Sequence, residues 1–147
     1  MATVPDVVCA IRGGPGSYHT RLGALQHAAS HNVTVHFVSV VDPAAYEPLR
    51  EGEQHAIRAE MAWRDLALAQ ATAAHAELND VQFTVAVRVG ELATAISEYA
   101  REVAAGSILI GSPRSAADAT FVEGGVDRFV GELRQTAGVA IVVVPPG

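Results

Sequence analysis

Two hydrophobic periods alternate along this chain, and that alternation constrains its fold more than any single motif. Residues 6–11 and 33–41 are short, aliphatic and rich in β-branched side chains, the pattern of buried strands. Between them Leu22, Leu25 and Ala29 recur at helical spacing, and Ser17 is placed to cap that helix by accepting an orphan backbone N–H. A second helix is expected over about 52–78, with Ile57, Met61 and Leu68 as its inner stripe. Residues 81–88 then alternate strictly. Val81, Phe83, Val85 and Val87 oppose Gln82, Thr84, Ala86 and Arg88, as in a half-buried strand at a sheet edge. Gly90 leads into a third helix with Leu92, Ile96, Tyr99 and Val103 inward, and residues 107–111 read as a short buried strand. A loop rich in small residues over 112–123 precedes a fourth helix with Val126, Phe129, Val130 and Leu133 inward. The continuously apolar run from Val139 to Val144 is the last strand, ended by Pro145 and Pro146.

Strands separated by helices are joined by right-handed crossovers, which makes the sheet parallel and covers both of its faces. The expectation is one open α/β domain over residues 1–147, with strand order 3-2-1-4-5. In such sheets ligands bind beyond the carboxyl ends of the strands, where the strand order reverses. Here that point falls between strands 1 and 4, so a crevice is expected between the loop at 12–17 and the loop at 111–125.

Composition narrows the function. Half of the 147 residues are hydrophobic and only 5% aromatic, so the core has to be built from Val, Ile, Leu and Ala. The net charge is -6, and the ten cationic side chains are all arginines, scattered rather than clustered. A basic stripe is the footprint of a nucleic-acid binder, and a cationic helix face that of a membrane-surface protein; neither is present, so no nucleic-acid or membrane partner is expected. No apolar run approaches a membrane span, and the start of the chain lacks the basic-then-apolar pattern of a signal peptide, so a cytoplasmic location is expected. In that setting the sequon Asn32-Val33-Thr34 is a chance match. The lone cysteine, Cys9, lies in an apolar strand pattern and reads as a small buried hydrophobe.

In order and spacing, three stretches resemble the universal stress protein family over essentially the whole chain. They are the strand, Gly/Ser loop and alanine-rich helix from Val7 to Ala29; Phe37-Val38-Ser39-Val40-Val41-Asp42-Pro43; and Gly90 to Ile96, followed by Ser107-Ile108-Leu109-Ile110-Gly111-Ser112, Gly124-Gly125 and the terminal Val-rich strand. The resemblance implies an adenine nucleotide alpha hydrolase-like fold. It also implies a stress-response or regulatory role, a homodimer through Val139 to Val144, and a site for ATP or AMP. That site would draw on Ile11, Arg12, Gly13, Val41, Gly111, Ser112, Arg114, Gly124, Gly125 and Val126.

The motif departs from the pattern of nucleotide-binding members, Gly-x2-Gly-x9-Gly-Ser/Thr. Gly111 and Gly124 match; Arg114 stands at the second glycine and Gly125 at the hydroxyl residue. Arg12 occupies the place of the family's aspartate after the first strand, in a longer loop. Two arginines flanking the crevice could grip a phosphate, and a helix opening at Gly124-Gly125 offers N–H groups to an anion. Against this, Arg114 brings a side chain where close backbone approach was wanted, and Asp127 can itself satisfy the helix end. Arg12 and Arg114 could instead pair with Asp118, Glu123 or Asp127. The expected function is therefore binding, with ATP binding weakened or lost; the alternative is an ATP/AMP-binding switch with weak ATPase activity.

Other constellations carry less. His27 and His31 have a chelating spacing but no third ligand, so no metal site is expected. His36 reads as a packed histidine, and no Gly-x-Ser-x-Gly elbow or lysine-bearing phosphate loop exists, so no catalytic residue is assigned. Glu98 and Glu102, one turn apart, read as a solvated face. Trp63 and Tyr46 have no assigned role.

Overall fold

In the computed structural model, which describes residues 4–11, 18–41, 51–111 and 125–144, nine elements follow one another as the two periods require. They are β1 (Val7–Ala10), α1 (Tyr18–His31), β2 (Thr34–Val41), α2 (Glu51–His75), β3 (Gln82–Val89), α3 (Leu92–Glu102), β4 (Ser107–Gly111), α4 (Gly125–Ala137) and β5 (Ala140–Val144). The strands form one parallel sheet in the order β3-β2-β1-β4-β5. β1 is central, pairing Val8 with His36 on one side and with Ile108 on the other. The order reverses between β1 and β4, as expected.

The period of two divides the core into layers. Val7, Cys9, Ile11, Val35, Phe37 and Leu109 point to α1 and α2, joining Ala24, Leu25, Ala28, Ala69 and Ala73. Val8, Val38, Ile108, Ile110 and Ile141 point the other way, to Ile96, Tyr99, Phe129 and Leu133 of α3 and α4. β3 is an edge strand with its odd-numbered side chains turned to the α1/α2 layer, in keeping with the alternation in the sequence.

Two inner stripes differ from expectation. On α1 the buried residues are Arg21, Ala24, Leu25 and Ala28, while Leu22 is half-buried and Ala29 exposed. On α2 the buried positions are Asp65, Ala69, Thr72 and Ala73, while Ile57, Met61 and Leu68 are only half-buried. Hydrophobic spacing located both helices but not their rotation. α1 and α2 pack against each other as well as against the sheet, and their shared seam admits small alanines and one polar group. On α3, Ile96 and Tyr99 are buried as expected, with Leu92 and Val103 at the margin. Its start is capped by Glu91, whose carboxylate accepts the backbone N–H groups of Ala93 and Thr94. α4 buries Phe129, Val130 and Leu133. β5 buries only Ile141, leaving Val142 and Val143 exposed at the far edge.

Candidate functional site

Three of the sequence-derived site residues converge at the carboxyl end of the sheet. Ile11 follows β1, Val41 ends β2 and Gly111 ends β4, on three adjacent strands. Ile11 prolongs the ladder, its N–H donating to Val38 O at 2.9 Å, and its side chain is buried. Val41 is buried too, and its carbonyl accepts the N–H of Gly90 at 3.0 Å, so the turn after β3 is tied to the end of β2. The backbone of α4 begins at Gly125, with Val126 in its first turn. Arg12, Gly13, Ser112, Arg114 and Gly124 lie outside the described residues, as do Ser17, Tyr46, Asp118 and Glu123.

Gly111 has a demonstrable packing role. A Cβ at this position would collide with the Thr20 side chain, which α1 holds against the end of β4. A side chain here would thus force Thr20 to shift, before any ligand is considered.

Beneath these strand ends lies a buried polar group that sequence reasoning missed. Arg21 of α1, Ser39 of β2, and Asp65 and Thr72 of α2 are all at most 3% exposed. The Arg21 Nε–H donates to Thr72 Oγ1 at 3.3 Å, and the Thr72 hydroxyl donates on to the Leu68 carbonyl at 2.8 Å. Burial raises the Asp65 carboxyl above the ordinary range, against the lowering pull of Arg21, Arg64 and a hydrogen bond from Ser39. Burial lowers Arg21, and the Asp65 charge opposes it. One oxygen of Asp65, Oδ2, has no hydrogen-bond partner. The signal was present in the helical spacing of Arg21 with Ala24, Leu25 and Ala28, and of Asp65 with Ala69, Thr72 and Ala73; a charge on an apolar face marks a buried charge.

The remaining candidates are scattered. His27 and His31 stack at 4.2 Å between ring centroids, and His31 Nδ1 contacts the His27 carbonyl at 2.9 Å, so the pair is engaged with itself. Among the described residues no three His, Cys, Asp or Glu side chains gather as metal ligands. Trp63 is 74% exposed, beside a shallow apolar hollow formed with Ala59, Ala62, Leu66 and Val85. A cavity of about 310 Å³ lined by Asn32, Thr34, Glu77, Asp80 and Gln82 lies at the amino end of the sheet, opposite the strand-end site. Among the described residues no helix is long and apolar enough to cross a membrane.

An open parallel sheet covered on both faces, with its strand order reversing beside Ile11 and Gly111, defines a doubly wound α/β protein. A family model described as the universal stress protein family matches residues 4–132, and the chain belongs to that family. Solved structures agree in fold. A universal stress protein in complex with cAMP is 20% identical, with TM-score 0.63 over 99% of this chain and 100% of the other. A universal stress protein family member from Burkholderia pseudomallei is 21% identical, with TM-score 0.63 over 99% and 98%. The universal stress protein from Archaeoglobus fulgidus in complex with dAMP is 16% identical, with TM-score 0.64 over 98% and 99%. No curated protein sequence matches the chain.

Proposed function

We propose that this chain is a cytoplasmic stress-response or regulatory protein that acts by binding rather than by catalysis, with its adenine-nucleotide site weakened or lost. What supports this reading is the family fold with its strand ends in place, together with departures from the family's motif in the sequence. Ile11, Val41 and Gly111 stand together at three neighbouring strand ends, while Arg114 and Gly125 replace a glycine and a hydroxyl residue of the family's motif. An arginine cannot freely take the positive φ open to glycine, and Gly125 has no hydroxyl to donate to a phosphate. The test is calorimetry with ATP, ADP and AMP, together with release of any nucleotide carried through purification. No carried nucleotide and no heat at millimolar ATP are expected; saturable heat at micromolar nucleotide overturns the reading.

The second reading is an ATP/AMP-responsive switch with weak ATPase activity. It is favoured by the retained Gly111, by a helix beginning at Gly125, an end whose N–H groups would suit an anion, and by the cAMP and dAMP held by two relatives of the same fold. Under either reading the protein works as a homodimer joined through the segment Val139 to Val144. β5 is a sheet edge with Val142 and Val143 uncovered, and pairing it with its copy about a twofold axis would satisfy the edge and bury both valines.

A further inference from the structure

On the α3 face of the sheet, toward its amino end, three side chains far apart in sequence form one hydrogen-bonded chain. Asp6 immediately precedes β1, and His36 of β2 and Thr84 of β3 are register partners. Asp6 Oδ1 accepts the Thr34 N–H at 3.0 Å, and its Oδ2 lies 3.1 Å from His36 Nε2. The other ring nitrogen, Nδ1, lies 2.8 Å from the Thr84 hydroxyl.

The protons on this chain can be assigned. The Thr34 N–H and His36 together hold the Asp6 carboxyl below its ordinary range, so it is a carboxylate with acceptors only. His36 Nε2 must then donate to it. In the neutral ring that leaves the Nδ1 lone pair to accept the Thr84 O–H. A hydroxyl bonded to an imidazole that is oriented by a carboxylate is the arrangement that activates a hydroxyl nucleophile. The imidazole is held further by Tyr99, edge-on at 6.5 Å between ring centroids. The His36 side chain is 14% exposed, whereas Thr84 faces solvent, so a reagent can reach the hydroxyl but the base behind it is sheltered.

We propose that Thr84 is a nucleophilic, acyl-accepting site, with His36 as its general base and Asp6 as the positioning residue, open to small activated esters. Thr84 Oγ1 attacks the acyl carbon of the ester, forming a new C–O bond, and its proton passes to His36 Nδ1. The bond to the leaving alkoxide or phenoxide breaks, the leaving group departs with the electron pair, and the proton on His36 Nδ1 passes to it or to solvent, so that the ring is neutral again. Water then attacks the acyl carbon while giving a proton to the neutral His36 Nδ1; the bond from that carbon to Thr84 Oγ1 breaks, Oγ1 takes the proton from Nδ1, and the acyl group leaves as the carboxylic acid.

The experiment treats the whole chain with p-nitrophenyl acetate. It follows p-nitrophenolate release and locates the acetyl group by peptide mass spectrometry. The expected result is acetylation of Thr84 that is abolished in Thr84→Val, kept in Thr84→Ser, and slowed by about 10²–10⁴-fold in His36→Gln. Asp6→Asn can keep an oxygen for the Thr34 N–H while turning an NH₂ toward Nε2. The ring must then accept at Nε2 and carry its proton on Nδ1, which removes the base. Acetylation should therefore fall in Asp6→Asn with the fold intact by circular dichroism, and recover in part in Asp6→Glu. Thr84→Val replaces an exposed strand residue by one of the same shape, so it decides the question even where a histidine variant folds poorly. Acetylation confined to other residues, or release unchanged in Thr84→Val, overturns the proposal.

Discussion

Arg21 on α1 and Asp65 on α2 are opposite charges buried in one seam, 2% and 1% exposed, directly under the strand ends that carry Ile11 and Val41. Removing one member of a buried pair costs far more than replacing both. Asp65→Ala is expected to destabilise the fold by about 3–5 kcal/mol in urea denaturation, and Arg21→Met with Asp65→Leu to recover most of that loss. The pair also sets a pH dependence. Because burial raises the folded Asp65 carboxyl above its ordinary 3.8, the protonated group's contribution is fully present below that value. It is lost as pH climbs through the raised value. Stability relative to Asp65→Asn should therefore fall with rising pH from about 3.8 upward; a difference independent of pH would contradict this.

Gly111 should matter without any ligand. Gly111→Ala is expected to cost about 1–3 kcal/mol of stability in nucleotide-free protein, because the new Cβ meets Thr20. Adding Thr20→Ala should return much of that, a coupling measured by the double-mutant cycle. Additive losses would mean the two residues do not share the space.

The thiol of Cys9 is pushed up to about 12 by complete burial, against the pull of the Arg21 charge. Native protein at pH 8 should resist thiol reagents, and labelling across a urea series should follow the unfolding transition. Rapid labelling without denaturant would show that β1 opens locally.

The edge strand β5 predicts association. Light scattering of the purified chain should give the mass of two copies, and Val143→Lys should shift it toward one. A monomer in the parent protein at micromolar concentration would remove the β5 pairing.

Element order, both layers of the core and the reversal beside β1 could be read from the chain alone, because the periods of 2 and 3.6 are local properties of the backbone. Val7, Cys9 and Ile11 alternate against Val8 in the sequence just as they divide between the two helical layers. Helix rotation could not be read in this way. Leu22 and Met61 looked inward by spacing, yet Arg21 and Asp65 took the seam, since the position of α1 against α2 depends on two crossovers and not on either helix. Nor could partners be read across long separations: Asp6, His36 and Thr84 lie 30 and 48 residues apart, and only the register of three strands aligns them. The order of residues was enough to fix which segment becomes which element and how the strand side chains alternate between the two layers. The tertiary structure alone decided which polar groups meet, because hydrogen bonds and ion pairs need positions fixed to within an ångström, and long-range packing sets those positions.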